Sequence, residues 1–502
     1  MRNGPAMAEQ SAGNKSTLLS KLRQPWFLLW SVLFLLSAGI FVYSQTMAFV
    51  WDEGFHLVAA QLIAWGKTPY LDFAFPQTLL NAYFNAAVLH TVGDTWQAVH
   101  IFDAIFVGAA ICLSATYVMG RFPERRWRLC CAIAVACFVG LDTVVIPFGP
   151  VAQAYGSGML LVVAAYRVAI LSVDRVSAGP VFVAALLAGA AAGSTLLTTP
   201  VIPALLVWIL FENRAGRRLA KVVAFGIGTV IPFAPEIWLF IKAPKLTLFN
   251  VVEYQALFRR VNWGDTNSHD FDVFTDWTVS APTLLLGLLS VIGVLFIAKK
   301  SNWPRVIRKE FYLAAYIAAA LGAYIAIAHP TFGRYFIFVI PFAAILASAG
   351  FYYAASQLIS PARPRWPTAI LLFILIASAA KYVFDEREAT NWHDYEKIAA
   401  KIKEVTPPGS EYMADEMVYF LLRQTPPSGM EFSYSHKLDL PPKEEALYHI
   451  VSAKKLKQQI AKGRFATVET CKDDTVDDFK LNDLFPHQQA FEDCTVFWRN
   501  KK

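Results

Sequence analysis

Charge is what this chain has least of. Asp, Glu, Lys and Arg make up 17% of its 502 residues, and hydrophobic types make up 56%. A soluble domain carries about a quarter charged residues. The shortfall excludes an ordinary soluble protein and points to one embedded in a membrane. No CxxC pair occurs among the six cysteines, which argues against a zinc or thioredoxin-type site. Cys112, Cys130, Cys131 and Cys137 lie in apolar runs and read as inert packing residues. The chain also lacks a basic, aromatic-studded groove sequence, so its net charge of +7 does not make a nucleic-acid partner. Its basic residues cluster instead in short loops between apolar runs. No internal repeat is visible, and the one Asn-x-Ser/Thr sequon is at Asn14, which favours a bacterial source.

What the chain does have is apolar runs of spanning length. Candidate spans are 26–47, 97–119, 129–146, 151–171, 180–197, 199–212, 221–241, 281–298, 311–328, 335–357 and 367–384, about eleven in all. The first is too long for a signal-peptide core and reads as an uncleaved helix after a tail over 1–25. The connections 121–128, 212–221, 298–309 and 360–367 are basic and fall on one side with the N-terminus, which makes that side cytoplasmic. An odd span count then places the C-terminal region outside. Gly189 and Gly193 have the spacing of a close helix contact.

After Phe384 the composition turns polar. Residues 386–502 carry turn signals such as TPPGS, a helix-patterned stretch at NWHDYEKIAAKIKEV, and alternation at RFATVETC and DCTVFW. This predicts a small α/β domain of roughly 115 residues with a core of its own. Cys471 and Cys494 lie within it. On the outer side they can form a disulfide; the alternative is two buried thiols.

Most of the chemical signal sits in the first outer loop, 48–96, about fifty residues long and unusual for a connection between spans. Asp52 and Glu53 open it. FHLVAAQLIAWG (55–66) predicts a short helix lying in the membrane interface. KTPYLDFAFPQ follows as an extended, Pro-punctuated segment. Residues 77–90 read as a helix on which Gln77, Asn81 and Asn85 form one polar stripe. Such a stripe, if buried, needs partners, which a sugar or an acidic loop could supply. His56 lies one helical turn beyond Asp52. It could orient that acid by a hydrogen bond, or join Asp52 and Glu53 around a divalent metal.

A first span, an outer loop opening on Asp-Glu, then "G..PY.DF" and an interfacial helix resemble the GT-C glycosyltransferases. The nearest branch is the group of protein O-mannosyltransferases and aminoarabinose transferases (glycosyltransferase family 39-like). The layout is similar over the whole chain, and the sharpest match is 51–76. The resemblance implies a mainly α, polytopic helical bundle with a small extracytoplasmic C-terminal α/β domain. It implies transfer of a sugar from a polyprenyl-phosphate donor to a lipid, polysaccharide or protein acceptor on the outer face of the cell inner membrane. It makes Asp52 the general base, with Glu53 beside it in the catalytic site. A positioned carboxylate that takes the acceptor's proton is worth about 10²–10⁴-fold. Arg334 and Tyr335 in HPTFGRY, with Arg259 and Arg260 in the 242–280 loop, are the candidates for the carrier phosphate. His56, Gln77, Asn81, Asn85 and Asp142 are candidates for the substrate. No cofactor follows firmly, since some members carry a metal at the lipid phosphate and others none. With a sugar between them, the charges of Asp52 and Arg334 should lie about 6–12 Å apart. The chain departs from the family at FAFPQT, where a Lys-Pro-Pro-like run is common, and at VHIFDA, where many members carry Arg. Both leave sugar and acceptor open. The rival readings are a lipid or glycan transporter or flippase, with ionisable groups along a path through the membrane, and a non-catalytic scaffold. Asp52 lining a cavity at the outer interface would favour the enzyme.

Overall fold

The structure is a computed structural model that describes residues 24–47, 52–173, 175–212, 216–259, 266–299, 303–359 and 363–499. Every predicted span has a helix beneath it, but not every helix has a span's length. Among the described residues seven are long and apolar enough to cross a membrane: Pro25–Ser44, Trp96–Arg121, Tyr155–Ser172, Arg218–Lys242, Ala281–Ala298, Arg305–Ile327 and Arg365–Glu388. Arg128–Gly140, Gly179–Ser194 and Leu196–Glu212 are apolar but shorter. Ile340–Leu358 packs in the same apolar core. The run over 129–146 falls short because its helix stops at Gly140. Beyond it the Asp142 carboxylate accepts the Val144 N–H at 2.8 Å, a local turn that competes with continued helix.

Local chemistry sets the other ends. The Thr95 hydroxyl accepts from the Ala98 N–H and caps the helix that begins at Trp96. Pro232 interrupts the Arg218–Lys242 helix with a tight turn over Ile231–Phe233, since proline lacks the N–H an α-helix needs. At Gly189 a Cβ would come within 2.4 Å of the Thr229 carbonyl oxygen; the small-residue spacing serves close helix packing as expected. The outward faces of the bundle show Phe34, Phe211, Leu219 and Phe373, each at least 72% exposed. An apolar surface of this kind needs a bilayer to cover it.

The polar C-terminal stretch holds both helices and strands. The helix Trp392–Val405 opens on a capping box made by Asn391 and Asp394. Four strands follow: β1 (Glu411–Met413), β2 (Phe465–Thr470), β3 (His487–Phe491) and β4 (Cys494–Trp498). They form one sheet in the order β1-β2-β4-β3, parallel between β1 and β2 and antiparallel elsewhere. Cys471 and Cys494 are joined by a disulfide, with Cα atoms 3.9 Å apart. One small core, around Leu456, Ile460 and Val468, lies wholly within this region. A larger one is shared with the first long loop: Phe55, Leu57 and Val58 pack in the same cluster as Trp392, Tyr419 and Phe432.

That sharing corrects one expectation. The helix over Glu53–Ala64 does not lie in a membrane interface. Ten of its 12 residues are buried, between the helices Leu80–Thr91 and Glu416–Leu422. A helix apolar on most of its circumference needs cover on most sides, and here protein supplies it. Gly54 permits the approach, since a Cβ there would meet the Met417 backbone nitrogen at 2.8 Å.

Candidate functional site

Asp52 sits immediately before the Glu53–Ala64 helix, at its N-cap position. The positive end of a helix favours a carboxylate there. Its partner comes from far along the chain. The Arg334 Nη2 donates to Asp52 Oδ2 at 2.6 Å, across 282 residues of sequence. The Arg334 Nε donates to the Tyr155 hydroxyl at 3.1 Å, and its guanidinium lies over the Phe332 ring, 4.2 Å from the centroid. Arg259 stacks near the same ring at 5.4 Å and donates to the Tyr335 hydroxyl. The Tyr434 hydroxyl, from the C-terminal region, hydrogen-bonds Asp52.

Burial alone would raise the Asp52 pKa. The charge of Arg334, then His56, the Tyr434 hydroxyl and Arg259, outweigh it and hold the carboxyl below its ordinary value. At neutral pH Asp52 is therefore a carboxylate. On Arg334 burial disfavours the charge, but Asp52 and the surrounding tyrosines hold the proton more firmly than usual. His56 goes the other way. Burial pulls its pKa down to about 4, against the opposing pull of Asp52 and Glu53, so the imidazole is neutral at physiological pH. It packs on Phe55 and Phe75.

Asp52, His56, Gln77, Arg259, Arg334 and Tyr335 all line one cavity of about 1990 Å³. A small-molecule site usually measures about 300–1,000 Å³. This one is larger than that range. The C-terminal region closes its far side with Tyr434, Lys437 and Lys472 and with the acids Asp415, Glu416 and Glu469. Burial, with the charge of the neighbouring acids, pushes the Asp415 carboxyl well up. Burial, helped by Glu416, takes the Glu469 pKa up to about 7.

The other sequence candidates lie elsewhere. Glu53 is fully buried behind Asp52 and is bonded to His100 and to the Ala152 N–H. Asn81 accepts from the Ser157 hydroxyl and Asn85 donates to the Ala152 carbonyl, so neighbouring protein groups meet one polar atom of each, while Asn81 Nδ2 and Asn85 Oδ1 are buried without a hydrogen-bond partner among the described residues. Asp142 is spent on its own turn. Arg260 falls outside the described residues. The expected separation of about 6–12 Å between Asp52 and Arg334 is not what the structure has: their opposite charges attract and meet at 2.6 Å. The metal option fails on geometry. Among the described residues the only grouped ligand atoms are those of Glu469, Cys471 and Cys494, whose two sulfurs are already bonded to each other. Asp52, Glu53 and His56 do not converge, because Glu53 is turned inward.

Sequence reading missed Tyr155, Phe332 and Tyr434. Tyr434 has no local mark: it stands in a Pro-rich stretch about a hundred residues beyond Arg334. Phe332 stands in the quoted loop, two residues before Arg334, and its aromatic type was the available signal.

No protein-family model and no curated protein matches the chain. Solved structures do. The crystal structure of ArnT from Cupriavidus metallidurans bound to undecaprenyl phosphate superposes with a TM-score of 0.64 at 12% identity, covering 95% of this chain and 99% of that one. The apo form of the same protein gives 0.63 at 13% identity, over 95% and 98%. A match over nearly both whole chains shows that the fold is of the GT-C type.

Proposed function

We propose, from the GT-C fold that the chain shares with ArnT, that it is a membrane glycosyltransferase using a polyprenyl-phosphate sugar. The observation that carries this reading is the meeting of Asp52 and Arg334 on the wall of the large cavity. A carboxylate kept ionised beside a fixed cation is what transfer from a sugar phosphate needs. The acceptor oxygen attacks the anomeric carbon and its proton passes to Asp52. The sugar–phosphate bond breaks, and its electron pair leaves with the polyprenyl phosphate. Arg334 and Arg259, with Tyr335, neutralise the growing phosphate charge. Arg334 rests on Asp52. A donor phosphate that takes that place separates the two by one sugar and frees the base.

The membrane is the cell inner membrane. The basic connections 121–128, 212–221, 298–309 and 360–367 face the cytoplasm with the N-terminal tail 1–25, and the spanning region runs over 26–385. Residues 386–502 face outward, where the carrier presents its sugar and a disulfide persists. Ionisable groups within the helices favour this over a transporter. Asp103 comes early in Trp96–Arg121 and Glu310 early in Arg305–Ile327, whereas a translocation path needs such groups at mid-helix.

Mass spectrometry of cell-envelope glycans, with and without the gene, tests the reading. A glycan that vanishes with the gene, returns with the native chain and does not return with well-expressed Asp52→Asn is the expected result. Transfer by the Asn variant within tenfold of native would refute Asp52 as the base, since its loss should cost about 10²-fold or more.

A further inference from the structure

Glu53 is the acid closest in sequence to Asp52, yet it does not reach the cavity. Its Oε1 accepts the Ala152 N–H at 3.1 Å and contacts the His100 Nε2. The other imidazole nitrogen, Nδ1, lies 2.5 Å from the Ser44 carbonyl oxygen. A carbonyl only accepts, so Nδ1 carries a hydrogen. A single proton then joins Nε2 to Glu53, and the pair as a whole is neutral. Ala152 is held from both sides, because its carbonyl accepts from Asn85 Nδ2 at 3.0 Å. Three residues later comes Tyr155, whose hydroxyl accepts from Arg334. Asn81 fixes the same segment through Ser157. His100 in turn packs against Trp96, which stacks on Trp392 of the C-terminal region with ring centroids 4.7 Å apart.

We propose that Glu53 is a positioning residue. With His100 and Asn85 it clamps Ala152, and through Ala152 it fixes the placement of Tyr155 and Arg334 around Asp52. It exchanges no proton with substrate. This rests on the glycosyltransferase reading, in which Asp52 and Arg334 are the working pair. The carboxylate is used for its shape and for the hydrogen bond it accepts from Ala152, and Gln at 53 keeps the shape and an oxygen for that N–H.

The test compares substitutions in the full-length protein, reconstituted in bilayers with a polyprenyl-phosphate sugar. Glu53→Gln should retain transfer within about fivefold of native, with the acidic limb of its pH–rate profile unmoved. Glu53→Ala should lose about 10²-fold, the penalty of misplacing reacting groups by about 1 Å. Asn85→Ala, which releases Ala152 from its other side, should show the same kind of loss. Combining Glu53→Ala with Tyr155→Phe should cost less than the sum of the two, because they act on one path. Melting temperatures measured alongside separate these losses from unfolding. Should Glu53→Ala not fold, Glu53→Gln and Asn85→Ala still decide the matter. The proposal is overturned if Glu53→Gln is as inactive as Asp52→Asn, which would make Glu53 a proton-transfer group. It is equally overturned if folded Glu53→Ala, or folded Asn85→Ala in its place, transfers at the native rate. Full activity of Asp52→Asn would instead sink the parent reading and leave the clamp without a site to serve.

Discussion

Replacing Arg334 by alanine tests the electrostatics of the site most directly. Arg334 makes a 2.6 Å contact with Asp52, a 3.1 Å hydrogen bond to Tyr155 and a cation–π contact with Phe332. Two consequences follow from removing it. The first concerns the donor. A hydrogen bond to a charged group is worth about 1.5–3 kcal/mol, so the donor KM should rise roughly tenfold or more. Loss of a donor to the developing phosphate charge should lower kcat by about 10²–10³-fold. The second concerns pH. Arg334 is the largest influence holding the Asp52 pKa down against burial. Without it burial regains the upper hand and the carboxyl titrates at higher pH. Asp52 works as a carboxylate, so the acidic limb of the rate profile should move to higher pH. The native pair also contributes stability that is fully present above the ordinary Asp pKa and is lost as pH falls through the lowered one. In Arg334→Ala that contribution is gone. Arg334→Lys should recover only part of the rate, since one ammonium cannot serve Asp52 and Tyr155 with a planar fork. Kinetics on reconstituted protein across pH 4–8, roughly the range over which these groups titrate, are the assay. An Arg334→Ala enzyme with native donor KM and an unmoved acidic limb would refute the reasoning.

Tyr434→Phe removes the one hydroxyl that the C-terminal region gives to Asp52. The acidic limb should shift in the same direction but less than for Arg334→Ala, with donor KM unchanged, measured in the same assay. Gly54→Ala would place a Cβ 2.8 Å from the Met417 nitrogen. Overpacking of this kind costs about 1–3 kcal/mol; thermal melts and limited proteolysis should show the C-terminal region loosened, and an unchanged melt would contradict the close approach.

The sequence carried the helical layout because apolar runs of bilayer length have few other uses. Asp52 was singled out by the resemblance of its loop, and Arg334 as a lone basic residue at the start of a span; the structure brings the two into contact. The side on which each polar group faces was not legible. Glu53 adjoins Asp52 in sequence, yet the two residues face opposite ways at the first turn of a helix. Of the predicted stripe only Asn81 and Asn85 lie on the helix, which begins at Leu80, and they turn toward Ser157 and Ala152, while Gln77 precedes it and lines the cavity. Asp142 is used by its own backbone. The interfacial reading of Glu53–Ala64 failed because composition cannot distinguish a lipid cover from a protein one. Tyr434 reaches Asp52 only through packing between distant parts of the chain.

The shared core between the first loop and the C-terminal region has a consequence for how the protein is made. Gln61 donates to the Phe420 carbonyl, 359 residues later in the chain. At about 5–20 residues per second, the ribosome needs roughly 20–70 s to supply that partner. Throughout this interval the Glu53–Ala64 helix, apolar on most of its circumference, waits without its cover. Nascent chains are therefore exposed to aggregation and proteolysis for longer than the insertion of any single span takes. The packing partners of Gly54 and Gln61, Met417 and Phe420, arrive only with the last fifth of the polypeptide, so a chain interrupted late in synthesis would leave this helix uncovered.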